Sequence, residues 1–244
     1  MRPYLLALLI LAGCATQKQD ITTTWAPTNE QWEKFRQTGV NLNKPDGKYV
    51  HMPKMLVNNI LTVRAKLEAT SGVTADLVVV ESEKPNAFAT IYKGRPIIAF
   101  STSYLNYLGY DVDALATTYG HELAHLKLGH SGQARKEREE TAQGVGIVAG
   151  TIAGAFIPFG GTITSLAATS VARSFTRDEE RAADEHGLKW AVEAGYDPCG
   201  KARVVEHFAR YSSGGIPLLS THPSYSERSA LADEYAKKAT GKGC

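Results

Sequence analysis

The chain has 244 residues, of which 43% are hydrophobic, and this is enough apolar material for one sizeable core. Its formal net charge is only +2, and no block of Lys and Arg is interleaved with aromatic residues. Nucleic acid is therefore excluded as an expected partner.

The N-terminus has the features of a bacterial export signal. Arg2 precedes an apolar stretch, residues 5–11, that is too short to span a bilayer as a helix. The stretch ends in Leu-Ala-Gly-Cys, which resembles the lipobox of bacterial lipoproteins and places the cysteine at Cys14. We expect residues 1–13 to be a signal peptide and Cys14 to carry a lipid anchor. The alternative is an uncleaved anchor helix.

The lipid on Cys14 would make the membrane a partner of the protein. Residues 15–24 are polar without an apolar period, so we expect a flexible tether at residues 14–28, followed by the folded domain at residues 29–244. Ala15 rather than Asp follows the cysteine. Resemblance to lipoproteins of enteric type then favours the outer membrane, with the domain facing the periplasm.

The first part of the domain combines helical and extended patterns. Apolar residues recur at helical spacing before Gly72 ends the pattern: Leu56, Ile60, Val63 and Leu67. Between residues 76 and 101, three short β-branched runs are separated by turn signals, which predicts a small antiparallel sheet. The expected fold class is therefore α+β and mainly helical.

One segment of this sheet, Asn86-Ala87-Phe88-Ala89, is predicted to be an open edge. An extended peptide can add to such an edge through main-chain hydrogen bonds, so these four residues are candidate substrate-binding residues. The alternative, an ordinary covering sheet, is equally compatible with the residues themselves.

The most informative motif is His-Glu-Leu-Ala-His, which begins at His121 within an apolar-periodic run that predicts a helix. Two histidines four residues apart project from one face of a helix, so His121 and His125 can supply two nitrogen ligands to one zinc ion. Glu122 is rotated away from that line but can reach a water molecule at the metal, as a general base must. The alternative is a helix with two half-buried histidines and a surface glutamate.

The helix is expected to end near Gly129. His130 does not match the spacing of the third histidine ligand in metzincin peptidases, so we predict that it lies at the surface. Residues 141–172 then carry no charge and are rich in glycine. We predict that they form a helical hairpin insert; the alternative is an element that dips into the membrane or gates the substrate.

A second helix with several carboxylates begins near Thr176, a candidate N-cap. Glu180 and Asp184 are four residues apart and therefore share a face. One of them can complete the zinc site, and the other can accept the outer N–H of a ligand histidine. Glu179 and Glu185 are competitors, but neither has an Asp four residues later.

These motifs together resemble those of the CaaX-prenyl-protease-type gluzincin metallopeptidases. The resemblance rests on His-Glu-Leu-Ala-His, on Thr-Arg-x-x-Glu-x-x-Ala-Asp from Thr176, and on Thr-His-Pro before Arg228. Asn86-Ala87-Phe88-Ala89 also resembles the edge segment of that family. The similar branch is the soluble lipoprotein one, typified by BepA and LoiP and related to HtpX and Oma-type proteases. Thr176 stands where the family usually has Ser.

The resemblance implies a zincin-like metallopeptidase domain with an active-site helix and one Zn²⁺ per chain. The implied zinc ligands are His121, His125 and Glu180. Glu122 is implied as the base, and Asp184 as a residue behind the ligands. His222 and Arg228 are implied near the metal, where either could stabilise the oxyanion of a tetrahedral intermediate. Alternatively, His222 occupies the open zinc position in a resting state.

The expected function is zinc-dependent endopeptidase activity on unfolded or misassembled cell-envelope proteins, in envelope protein quality control. An edge strand recognises backbone more than side chains, which suits such substrates. The second hypothesis is a zinc-stabilised, chaperone-like module that binds outer-membrane proteins without cutting them.

The two cysteines besides Cys14 are Cys199 and Cys244. They could pair in an oxidising periplasm and tie the C-terminus back to the domain. The sequence leaves this pairing open.

Overall fold

The computed structural model describes residues 23–131, 175–210 and 225–244. The predicted signal peptide, the lipidation site at Cys14, the uncharged segment 141–172 and His222 lie outside the described residues.

Helices dominate the described part of the chain and surround a small sheet, which confirms the predicted fold class. The helices are α1 (Asn29–Thr38), α2 (Lys54–Ser71), α3 (Thr102–Leu108), α4 (Val112–Lys127), α5 (Arg177–Glu193), α6 (Cys199–Arg210) and α7 (Tyr225–Thr240). The strands are β1 (Thr24–Trp25), β2 (Val40–Asn43), β3 (Tyr49–Met52), β4 (Asp76–Val80), β5 (Ala87–Tyr92) and β6 (Arg95–Ser101).

The main sheet is mixed, whereas the sequence predicted an antiparallel one. Its strand order is β1-β4-β6-β5, and β4 runs parallel to β6. After β4 the chain forms the edge strand β5 and then turns back to form β6, which lies between β4 and β5. Lys93 and Gly94, both with positive φ, form the two-residue turn of the β5–β6 hairpin. Strand β6 therefore runs in the same direction as β4.

Helix α4 forms the centre of the core. Residues 114–125 are all buried, and the helix packs against α2, β5, α5 and α6. Asp111 is the N-cap of α4, and its side chain accepts a hydrogen bond from the Ala114 N–H. Asp111 also binds the Arg203 guanidinium, with Nε and Oδ2 2.6 Å apart, and this ion pair fixes α6 against the start of α4.

Cys199, the first residue of α6, forms a disulfide with Cys244, which lies shortly after the end of α7. The two Cα atoms are 5.4 Å apart. The structure thus resolves the pairing that the sequence leaves open. Within the described ranges, no helix combines the length and the apolar character required to cross a membrane.

Candidate metal centre

Two buried imidazoles lie one turn apart on α4, as the sequence predicted. The Nε2 atoms of His121 and His125 are 3.1 Å apart, and the ring centroids are 4.6 Å apart. Both nitrogens therefore face the same small volume.

Helix α5 brings a carboxylate to that volume. Its start is fixed by a capping box in which Thr176 and Glu179 exchange hydrogen bonds. Glu180, in the next position, lies 3.5 Å from His121 Nε2 and 3.3 Å from His125 Nε2, each distance measured to the nearer Oε atom. Of the competing glutamates, Glu179 is thus used as a cap, and Glu185 is exposed.

The three side chains fit a zinc ion. One ligand atom from each of His121, His125 and Glu180 lies within 4.8 Å of the other two, and all three residues are buried. Two imidazole nitrogens and one carboxylate oxygen are a ligand set that zinc accepts in catalytic sites, where the fourth position stays open to solvent or substrate.

Glu122 is a buried carboxylate beside this cluster. Its side chain is 1% exposed, and neither Oε atom has a hydrogen-bond partner among the described residues. Burial raises the pKa of Glu122 to about 7; His125 opposes this shift and Glu180 adds to it. A carboxyl group that exchanges its proton near neutral pH is suited to general acid–base chemistry.

Asp184, which the family resemblance implied as a residue behind the ligands, lies beside His121. Its Oδ1 is 2.7 Å from His121 Nδ1, the ring nitrogen that points away from Glu180. The carboxylate also forms an ion pair with Lys201 and two hydrogen bonds with Arg228. Burial opposes its ionisation, but Arg228 and Lys201 together hold the pKa of Asp184 well below its ordinary value. Asp184 is therefore an ionised acceptor that can orient the His121 ring.

Arg228 was expected near the metal, and the structure pairs its guanidinium with the carboxylate of Asp184. The Nε–Oδ2 and Nη2–Oδ1 distances are 2.8 and 3.0 Å. This is the two-bond geometry that arginine forms with carboxylates. The side chain thus acts on the site through Asp184 and His121. The other candidate from the same segment, His222, lies outside the described residues.

Lys201 is a buried residue of the site that the sequence did not indicate. It is 2% exposed and contacts Asp184 from the first turn of α6. Burial, with Arg228 adding to it, lowers the pKa of Lys201 to about 8. A single lysine in an amphipathic helix is usually at the surface, so nothing in the sequence predicted that Lys201 is buried in the site.

His130 was predicted to lie at the surface, and that prediction is wrong. The residue is only 6% exposed, and its Nδ1 atom lies 3.0 Å from His125 Nδ1. Gly129 was the sequence feature that could have predicted this burial. A glycine after the last turn of a helix often reverses the chain, so that the next residue folds back onto the helix.

The segment Asn86-Ala87-Phe88-Ala89 leads into and begins β5, the strand at one end of the main sheet, beside α4. The Asn86 carbonyl accepts a hydrogen bond from the Ser101 N–H of β6. Peptide groups alternate in direction along a strand, so the Ala89 carbonyl points away from β6. There it accepts a hydrogen bond of 3.2 Å from Ser131 Oγ, close to the end of α4.

The fold and the site together define a metal-dependent hydrolase of the zincin type, in which an HExxH helix and a glutamate from a later helix hold the metal. The chain belongs to peptidase family M48, whose sequence profile it matches over residues 55–236. Peptidases of this family are zinc-dependent metallopeptidases. Comparison with curated protein sequences gives no match to the chain.

Proposed function

We propose that the protein is a zinc metalloendopeptidase that hydrolyses unfolded or misassembled proteins of the bacterial cell envelope. The observation that supports it best is the buried cluster of His121, His125 and Glu180, with the unpartnered carboxylate of Glu122 beside it.

Each side chain of the site has a role in peptide hydrolysis. Zinc, when bound, supplies a Lewis acid that polarises the scissile carbonyl and lowers the pKa of water. His121, His125 and Glu180 would hold the metal, and Asp184 would orient His121. Glu122 takes a proton from the attacking water and returns it to the leaving amine.

The edge of β5 supports an extended peptide as the substrate. Ala87, Ala89 and Ile91 direct their peptide groups away from β6, in the alternation established by the Asn86 and Ala89 carbonyls. Ala87 and Ala89 are buried and Ser131 binds the Ala89 carbonyl, so a substrate strand must displace Ser131 to pair along this edge. A substrate strand that pairs there is recognised through its main chain. Unfolded proteins offer such strands whatever their sequence, and folded ones do not.

The location follows from the N-terminal sequence. Lipid on Cys14 and a tether between Cys14 and β1 would keep the domain at the outer membrane, facing the periplasm. The Cys199–Cys244 disulfide supports this location, because such bonds persist in oxidising compartments.

The decisive variant is Glu122→Gln, which keeps the shape of the side chain and removes the base. We expect cleavage of unfolded casein to fall about 10²- to 10⁴-fold. Zinc content, measured by metal analysis, should stay at one ion per chain. Glu185→Gln, an exposed change on α5, is the matched control and should cleave as the wild type does.

Two results would overturn the endopeptidase proposal. One is a Glu122→Gln variant that cleaves casein at the wild-type rate. The other is a wild type that binds zinc but cleaves no unfolded protein, while the wild type and Glu122→Gln suppress the aggregation of outer-membrane proteins equally well. That result would support the chaperone-like hypothesis.

A further inference from the structure

His130 lies where the chain turns back at the end of α4. The His130 N–H donates to the His125 carbonyl at 2.9 Å, and the Gly129 N–H donates to the Leu126 carbonyl at 3.1 Å. Gly129 has a φ of +65°, in the left-handed region. These two bonds and this glycine form a Schellman motif, which folds the residue after the glycine back over the last helical turn. In this chain, the motif places His130 against His125.

The two imidazoles meet through their Nδ1 atoms, which are 3.0 Å apart, with an angle of 66° between the ring planes. The other nitrogen of His125, Nε2, faces His121 Nε2 at 3.1 Å and Glu180 Oε1 at 3.3 Å. His125 therefore directs one nitrogen to the metal position and the other to His130.

We propose that His130 is a positioning residue of the zinc site, whose Nδ1 atom accepts a hydrogen bond from His125. A histidine that binds metal through Nε2 must carry its proton on Nδ1. Since His125 Nδ1 is then the donor, His130 Nδ1 is the acceptor and the His130 proton lies on Nε2. The bond fixes the tautomer and the ring plane of His125. Asp184 does the same for His121, so the two ligand histidines have different acceptors, a neutral imidazole and a carboxylate.

Two contacts keep the histidine pair in place. The Phe175 ring stacks on the His125 ring, with 3.9 Å between centroids and 18° between planes. On the other side of His130, Ser131 Oγ donates to the Ala89 carbonyl of β5. Residues 129–131 are thus fixed to α4 at one end and to the sheet at the other. The backbone, and not only the His130 rotamer, sets the position of the acceptor.

A matched pair of variants separates the hydrogen bond from packing. In His130→Asn the side-chain oxygen can take the place of Nδ1, whereas His130→Leu has the same branching and no acceptor. The zinc dissociation constant of the full chain is measured by competition with a chelating dye. We expect His130→Leu to bind zinc about 10- to 100-fold more weakly than the wild type, and His130→Asn to stay within about threefold of it. Without metal, both variants should still unfold in one cooperative thermal transition.

The control is His51→Asn, which removes an exposed histidine on β3 and should leave zinc affinity unchanged. Wild-type affinity in His130→Leu overturns the proposal. So does equal weakening in the Leu and Asn variants, because packing alone would then explain the loss.

A third variant is available if His130→Leu does not fold. The amide of His130→Gln reaches the Nε2 position rather than Nδ1, so we expect it to bind zinc about tenfold more weakly than His130→Asn. Equal affinities of these two variants overturn the proposal. The inference rests on the zinc site and not on peptide cleavage: a wild type that binds zinc and cuts nothing would refute the endopeptidase function and leave this comparison intact.

Discussion

Gly120 and Gly187 lie against each other where α4 crosses α5. A β-carbon on Gly187 would stand 2.7 Å from the Gly120 carbonyl carbon, and one on Gly120 would stand 2.7 Å from the Gly187 carbonyl oxygen. Because neither residue has a β-carbon, the two backbones can approach each other here. The crossing lies one residue before His121 and brings Glu180 within reach of both imidazoles.

Gly187→Ala tests this close approach. In an open helical position, alanine would stabilise the helix by about 1 kcal/mol relative to glycine. At Gly187 the added methyl group must push α5 away from α4, and we expect a net destabilisation of about 1–3 kcal/mol. Thermal unfolding of the metal-free protein measures this destabilisation. We also expect the variant to lose zinc affinity. Glu185→Ala, on the exposed face of α5, is the control. A variant more stable than the wild type would contradict the tight crossing.

Asp184→Asn tests the carboxylate that orients His121. The change preserves shape, but it leaves two cations, the buried Lys201 and the largely buried Arg228, without their counter-ion. We expect zinc affinity to fall about 10- to 100-fold. Since an unpaired buried charge is costly, we also expect a destabilisation of about 3–5 kcal/mol, measured by urea unfolding. Asp178→Asn, in the first turn of α5 with an exposed side chain, serves as the comparison and should affect neither quantity strongly. A fully stable Asp184→Asn protein with wild-type zinc affinity would show that Asp184 has no such role.

The buried amine of Lys201 predicts a dependence of stability on pH. The folded protein releases this proton near pH 8, whereas the unfolded chain keeps it up to about pH 10.5. Between these values the unfolded state binds more protons, so the free energy of unfolding rises with pH. The contribution is at most about 1.4 kcal/mol per pH unit. The Lys201→Met variant lacks this pH-dependent contribution. The free energy of unfolding of the wild type should therefore rise relative to that of the variant from pH 8 to 10. Urea unfolding of the metal-free proteins tests this, and a difference that stays constant with pH would contradict it.

The candidate ligands could be predicted from the sequence because they depend on local spacing, and the family resemblance then selected Glu180 rather than Asp184. His121 and His125 share a helical face by being four residues apart, and so do Glu180 and Asp184. The helices themselves have apolar periods and capping residues that can be read directly, as at Thr176. What remained for the structure to show was that the two faces meet.

The surroundings of Asp184 could not be predicted in this way. Lys201 and Arg228 reach it from α6 and α7, whose packing depends on contacts between residues far apart in the chain. The direction of β4 relative to β6 likewise follows from the path of the chain and not from any strand pattern. His130 is a different case, since Gly129 offered a local signal that metal-ligand spacing alone did not use.

The Cys199–Cys244 disulfide is expected to contribute to stability by restricting the unfolded chain. It closes a loop with a sequence separation of 45. For a loop of this size, chain entropy predicts a stabilisation of about 4 kcal/mol. Dithiothreitol should therefore lower the unfolding temperature of the wild type. The double variant with Ser at both positions should unfold at the lower temperature with or without dithiothreitol. A wild type that is insensitive to complete reduction, verified by thiol titration, would contradict this contribution.

The edge of β5 gives a prediction for substrate binding. The Ala89 N–H lies on the same side of the strand as its carbonyl, away from β6, so proline at this position removes a donor to the substrate without removing a β5–β6 hydrogen bond. We expect Ala89→Pro to reduce kcat/KM for an unfolded substrate about 3- to 10-fold, the value of one hydrogen bond. Zinc affinity should not change.

Two further variants make the Ala89→Pro result interpretable. Ala89→Val adds bulk at the same buried position but keeps the N–H, and its kcat/KM should fall less than that of Ala89→Pro. Phe88→Pro removes an N–H that faces β6, so it should lower the unfolding temperature more than Ala89→Pro, which removes no β5–β6 hydrogen bond. If Ala89→Pro and Ala89→Val reduced kcat/KM equally, side-chain bulk would explain the effect, and pairing of the substrate backbone with this edge would be refuted.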